Sequence, residues 1–227
     1  MTALRLVEVS KRFGGVVAAE NVTVDVTPGR VTGLIGPNGA GKTTIVNLIT
    51  GMLTLTSGRI LFGERDISAA GADAIARLGF ARTFQNIRLF REAPVIDNLL
   101  IGFHKAQTSS LASNILGLPS ARAETRAIRD RAHALLERFG MSRFADFPAG
   151  GLSYGHQRRV EMMRALAAGP AVLLLDEPVA GMNDVEAGEL GDIFREVAAS
   201  GIAVLLIEHN IRFVTRLCER IFVLDYG

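Results

Sequence analysis

Residues 36–43 read GPNGAGKT. The stretch fits G-x-x-x-x-G-K-[ST], a loop whose backbone N–H groups turn inward on a polyphosphate. Gly36, Gly39 and Gly41 carry no Cβ to block positive φ, so the turn is open to them. Lys42 brings a point charge to the β and γ phosphates, and the Thr43 hydroxyl suits a Mg²⁺ shell. Asn38 and Thr44 complete the candidate cradle. The flanks agree with the motif. Residues 31–35, VTGLI, read as a buried strand, and residues 44–50, TIVNLIT, as a helix that stops at Gly51. A helix N-terminus there aims its positive dipole end at the phosphates. Strand, glycine loop and helix in that order imply a parallel α/β sheet.

A second strand signal is the apolar run 172–175, VLLL, as expected of a strand buried on both faces. Asp176 and Glu177 follow it, at the end where open α/β sheets place their ligands. Asp176 is positioned to hold Mg²⁺, directly or through water. Glu177 is the candidate general base that polarises an attacking water. An acid that activates water beside the metal points to hydrolysis rather than transfer to a small acceptor.

With these residues in view the chain resembles the ATP-binding subunits of ABC transporters, over essentially its whole length and with every motif in order. Residues 152–157, LSYGHQ, look like the family's signature loop. The resemblance implies that Ser153 and the Gly155 N–H contact the γ-phosphate of ATP bound to an opposite subunit. Gln85, in ARTFQN, matches the glutamine that reaches the metal and the water. His209, in LLIEHN, matches the histidine at the γ-phosphate. Phe13, in KRFGG, sits where the family stacks a ring on adenine. Residues 180–184, AGMND, match the loop that crosses the dimer interface. Three positions depart from the family pattern: Tyr154 stands for Gly, His156 for Gln and Asn183 for Asp. None removes the backbone donors or the serine hydroxyl.

The resemblance implies a RecA-like P-loop NTPase core with an N-terminal antiparallel β subdomain and an inserted α-helical subdomain. The expected division is 1–85 with 167–227 for the core and 86–166 for the helical part. It further implies ATP and Mg²⁺, a second ATPase subunit in a homo- or heterodimer, two transmembrane permease subunits and, indirectly, a solute-binding protein. The expected location is the cytoplasmic face of the inner membrane. Residues 81–90, ARTFQNIRLF, and 152–166 look most like importers of branched-chain amino acids. ATPase subunits of lipid or lipopolysaccharide exporters share every catalytic motif and are the alternative. A nucleic-acid motor usually carries paired ATPase domains or a long coiled-coil insert, and a metabolic P-loop kinase leaves LSYGHQ and His209 without a purpose.

Composition narrows the classes further. The 227 residues are 48% apolar, enough for a sizeable core. The formal charge is +2, and Lys occurs only at 11, 42 and 105. No basic block points to a nucleic-acid groove. One cysteine, Cys218, excludes an internal disulfide. A strand pattern, not a charged-then-apolar leader, follows Met1. No apolar run reaches the 18 or so residues of a membrane span.

Elsewhere residues 4–9 and 22–26 alternate like half-exposed antiparallel strands, and 59–62 form another. Residues 69–78 read as a helix capped by Ser68, and a strand at 80–84 delivers Gln85. Pro94 suits the start of a helix to Ile101. Residues 102–120 read as a loop, and 122–139 as an amphipathic helix with a solvated basic face, ended by Gly140. Helices at 185–199 and 211–218 alternate with strands at 171–175, 202–207 and 221–224. Residues 225–227 read as a hairpin turn without a returning strand, where relatives usually continue. Arg88 and Phe90, just after Gln85, are candidates for contact with a membrane subunit.

The loop generates a direct test. Lys42→Ala removes the principal cation of a phosphate site and should weaken ATP binding roughly 10- to 100-fold with the fold intact. Nucleotide titration with circular dichroism checks this, and unchanged affinity would place the site elsewhere.

Overall fold

The structure is a computed structural model and describes residues 4–83, 87–106 and 118–227. The chain divides into two compact units, residues 1–85 with 170–227 and residues 86–169.

The first unit holds two sheets. The antiparallel one contains β1 (Leu4–Phe13), β2 (Val16–Val26), β4 (Ser57–Phe62) and β5 (Arg65–Asp66), in the order β2-β1-β4-β5. Its first two strands run well past the expected ends at Val9 and Val22. They pair from Leu4↔Val26 to Phe13↔Val16, with register shifts between Leu6 and Val9, Val9 and Lys11, and Lys11 and Arg12. Glu8 and Asn21 take left-handed backbone at φ 50 and 51. Each irregularity resets which face the next side chain meets, so the two-residue period fades although pairing continues.

The second sheet is parallel. It comprises β3 (Val31–Ile35), β6 (Phe80–Arg82), β7 (Val172–Asp176), β8 (Ala203–Ile207) and β9 (Arg220–Val223), in the order β6-β7-β8-β3-β9. Every residue of β7 and β8 is buried, which explains their unbroken apolar runs. Helix α1 (Lys42–Ile49) follows the phosphate loop. Its Ile45, Val46 and Ile49 join a single core cluster with Leu4, Leu6 and Val24 of one sheet and Leu34, Leu174 and Leu205 of the other. Burial of that helix therefore ties the two sheets together, each fully buried aliphatic side chain contributing about 1.5–3 kcal/mol.

Helix α2 (Ala72–Arg77) begins later than expected, and Ser68 does not cap it. Gly71 holds the N-cap position. The Ser68 hydroxyl instead donates to Asp66 Oδ1 at 2.5 Å and accepts from the Ile60 N–H at 2.8 Å. A serine in a turn has several backbone partners within reach, and here the β4–β5 hairpin takes it.

In the second unit, α3 (Val95–Gly102) follows Pro94, which is its N-cap. The segment expected as loop at 102–120 contains a 3₁₀ turn at Phe103–Ala106 and, from Pro119, the first residues of α4 (Pro119–Arg138); residues 107–117 lie outside the described residues. Ala121, Ile128, Ala132 and Leu136 form the buried stripe of α4, and Gly140 at φ 64 follows its end. Helix α5 (Tyr154–Ala167) packs on α3.

Back in the first unit, α6 (Asp184–Ala199) and α7 (Ile211–Leu217) separate the last strands. Asn183 starts the first of them. Its Oδ1 accepts from the Val185 and Glu186 N–H groups, both at 3.0 Å, while Glu186 Oε2 accepts from the Asn183 N–H at 3.1 Å. This is a reciprocal capping box. Residues 225–227 are tied down too: the Gly227 N–H donates to Ala40 O at 3.1 Å and Gly227 O accepts from the Glu20 N–H at 2.8 Å. No helix among the described residues is long and apolar enough to cross a membrane.

The cap gives a stability prediction. Asn183→Ala leaves two N–H groups without their acceptor and should cost about 1 kcal/mol. Denaturant unfolding of the pair of proteins measures it; equal midpoints would show that the box carries no weight.

Candidate active site

In the parallel sheet β8 lies between β7 and β3, so the carboxyl ends of three adjacent strands share one edge. The phosphate loop leaves β3, Asp176 and Glu177 end β7, and Glu208 and His209 follow β8. Residues far apart in the chain thus meet where open α/β sheets bind ligands.

The loop is packed against backbone. A Cβ on Gly36 would come within 2.2 Å of Leu224 O, and one on Gly41, at φ 99, within 2.2 Å of Ala18 O. Lys42 is buried and donates from Nζ to Gly36 O at 2.6 Å and Pro37 O at 2.9 Å. No side chain caps α1 and no acid occupies its first turn. Its leading N–H groups and dipole are therefore presented to an anion.

Three acids stand at the strand ends, each with different partners. Asp176 is buried; its Oδ2 lies 3.0 Å from Arg82 Nη2, whose Nη1 donates to Asn47 Oδ1 at 2.6 Å. The Asp176 N–H donates to Thr83 Oγ1 at 3.2 Å. Glu177 takes left-handed backbone at φ 47, held by its N–H donating to Ile207 O at 2.9 Å. Such a backbone costs about 1–3 kcal/mol and turns the side chain off the strand direction. Its Oε1 lies 3.6 Å from His209 Nδ1. Glu208 is fully buried. Burial pushes its carboxyl above the usual carboxylate range, opposed by N–H groups of Asn210, Val179 and His209 and by the nearby His209 ring.

A cleft of about 460 Å³ runs along this edge, lined by Lys42, Thr43, Thr44, Asp176 and Glu177, by Asn38, Gly39 and Gly41, and by Val16, Val17 and Ala18 of β2. A second hollow of about 330 Å³ is bounded by Gly36, Pro37, Asn38, Glu177 and His209. Glu177 and Asn38 belong to both. The chemistry fits a nucleoside polyphosphate: backbone donors and a cation for phosphates, and an apolar wall beyond them. It also fits Mg²⁺, since the Thr43 hydroxyl and Asp176 carboxylate are hard oxygen donors on one wall.

Phe13 is not among the lining residues of that cleft. It ends β1, half-exposed, paired with Val16 and with Lys11 Nζ 4.9 Å from its ring centre. Gln85 lies outside the described residues. Ser153 and Gly155 belong to the second unit. Ser153 is the N-cap of α5, its Oγ 3.0 Å from His156 Nδ1, and Gly155 sits in the first helical turn. Tyr154 acts locally. Its hydroxyl accepts from Arg158 Nη2 at 2.9 Å, and that buried arginine pairs with buried Glu161 at 3.2 Å.

Residues 19–180 match the ABC transporter family. The high-affinity branched-chain amino acid transport ATP-binding protein LivG of Escherichia coli K12 is 42% identical over 95% of this chain and 85% of its own. The chain belongs to the ABC transporter family. BraF of Pseudomonas aeruginosa, also a high-affinity branched-chain amino acid transport ATP-binding protein, is 37% identical over 95% of this chain and 85% of its own. The lipopolysaccharide export system ATP-binding protein LptB of E. coli K12 is 35% identical over 100% of this chain and 88% of its own. Among solved structures, the ADP conformation of MJ1267, an ATP-binding cassette of an ABC transporter, superposes with a TM-score of 0.84 at 33% identity, covering 100% of this chain and 89% of its own. As an ABC cassette with a P-loop NTPase fold, the chain is an ATP-binding, ATP-hydrolysing transporter subunit.

Sequence reading overlooks Arg82, Glu208 and the valines of β2. An acid preceding histidine at the end of an apolar strand is a usable signal for Glu208. Arg82 gives none, because its partner lies 94 residues away.

The Arg82–Asp176 pair is about nine-tenths buried on both sides. Arg82→Met strands a buried carboxylate and should destabilise the protein by about 3–5 kcal/mol. Adding Asp176→Asn should recover most of that loss. Denaturant unfolding of the double-variant cycle reads both steps, and additive losses would contradict the pairing.

Proposed function

We propose that this ABC ATPase powers import of branched-chain amino acids from the cytoplasmic face of the inner membrane. It works with a second ATPase subunit, identical or related, on two transmembrane permease subunits, with a solute-binding protein upstream. The similarity to LivG over 95% of the chain carries this reading, and BraF supports it.

Within the site, the loop from Gly36 to Thr44 cradles the phosphates of ATP, with Gly36, Asn38, Gly39, Gly41, Lys42, Thr43 and Thr44 as its contacts. The base lies against the β2 wall, next to which Phe13, outside the cleft lining but paired with Val16, is the ring proposed to stack on it. Thr43, Asp176 and Gln85 would hold Mg²⁺, which supplies charge neutralisation on the phosphate oxygens when bound. Glu177 takes the proton of the attacking water, and His209 orients the γ-phosphate end. Their side chains stand 3.6 Å apart on the wall of one hollow, which supports a shared role. Ser153 and Gly155 close on ATP held by the opposite subunit. The helix N-terminus at Ser153 supports this, since it would bring a second dipole to the same phosphate. The reaction requires the two subunits to meet head-to-tail, and closing and opening of that pair moves the membrane subunits. Arg88 and Phe90, both exposed in the second unit, are the proposed contact to them.

The second reading is a lipopolysaccharide exporter, favoured by the 35% identity to LptB over the full chain. Uptake of labelled leucine separates the two. Cells whose chain carries Lys42→Ala should lose high-affinity leucine, isoleucine and valine uptake, about 10-fold or more. Intact uptake with lipopolysaccharide retained in the inner membrane would overturn the importer assignment.

A further inference from the structure

Glu208 is the most deeply buried of the three acids, 1% exposed. Its carboxylate accepts from the backbone of two separate loops. Oε1 takes the Val179 N–H at 3.3 Å, in the turn after Glu177. Oε2 takes the N–H groups of His209 at 3.0 Å and Asn210 at 3.3 Å. Oε2 also lies 3.7 Å from His209 Nδ1. A buried anion is costly unless donors surround it, and hydrogen bonds to an ionised acceptor are about twice as strong as neutral ones. Three convergent N–H groups are such a surround. The Glu177 N–H bonds Ile207 O, and within the turn beyond it the Ala180 N–H bonds Glu177 O at 3.3 Å and the Met182 N–H bonds Val179 O at 3.1 Å, while the Val179 N–H reaches across to Glu208.

We propose that Glu208 is a positioning residue: its carboxylate clamps the turn at residues 177–179 to the loop at 208–210 and so sets the spacing of Glu177 and His209. The inference rests on the roles proposed for those two residues. A carboxylate offers two acceptor atoms, whereas an amide must turn an NH₂ toward one of the N–H donors. Aspartate keeps the charge but is one methylene too short to span both loops.

The test uses the full chain carrying Glu208→Gln or Glu208→Asp. Either should lower kcat about 10- to 100-fold, because small displacements of reacting groups cost that much. ATP affinity should stay within about twofold, since the phosphate loop is untouched. Hydrogen exchange at the Val179 amide should quicken at least ~10-fold once its acceptor is lost. Wild-type turnover and unchanged Val179 exchange in both variants would overturn the clamp. Equal losses of affinity and kcat would also overturn it, since they mark general damage. Glu177→Gln serves as the control: if that variant still releases phosphate at the normal rate, the base assignment fails, while Val179 exchange still reads the clamp. Should Glu208→Gln not fold, Glu208→Asp carries the same outcomes.

Discussion

Two backbone segments, one from each sheet, press so closely on the phosphate loop that the geometry of the whole site follows from them. Ala18 of β2 lies against Gly41 and Leu224 beyond β9 against Gly36, each at a distance that only glycine tolerates. Gly227 then bonds both Ala40 and Glu20, so the last described residues join the antiparallel sheet to the start of α1. Both sheets therefore hold the loop, and its own glycines are what let them come so close. Fixed N–H groups cost little reorganisation when an anion arrives, and preorganisation is where such sites gain most of their electrostatic effect.

The same edge of the parallel sheet sorts three acids by environment. Asp176 faces Arg82, Glu177 faces His209, and Glu208 faces the backbone N–H groups of Val179, His209 and Asn210 and the His209 ring. In the proposed mechanism one serves a cation, one a proton and one the register of two loops. Neighbouring strands supply the acids, so their separations follow from the sheet itself rather than from flexible loops. Local conformation sharpens the division. The left-handed backbone at Glu177 separates its carboxylate from that of Asp176, although the two are adjacent in sequence.

Much of this is legible in the chain. GPNGAGKT, VLLLDEP and the apolar runs mark the strands, the loop and, at β7, the candidate metal ligand Asp176 and candidate base Glu177, because buried parallel strands and glycine loops leave strong local patterns. Asn183 stands out in the sequence only as a departure from the family pattern, although Glu186 three residues on is the other half of a capping box. The outer parts of β1 and β2 escape a periodicity reading because irregularities at Glu8 and Asn21 break the two-residue period. Ser68 is ambiguous, since a serine beside both a hairpin and a helix start suits either, and the structure gives it to the hairpin. Arg82 and the wall formed by Val16 and Val17 depend on pairings across the fold and leave no trace in local sequence.

In the proposed mechanism ATP is bound between two cassettes and cut by water that Glu177 activates. Glu177→Gln keeps shape and hydrogen bonding but removes the base, while Asp176 and Lys42 remain. Light scattering of that variant with MgATP, alone and with its natural partner subunit, together with a phosphate-release assay, tests this mechanism. A stable ATP-dependent dimer with hydrolysis reduced about 100- to 10,000-fold is the predicted result. A monomer that still releases phosphate at the normal rate would contradict it.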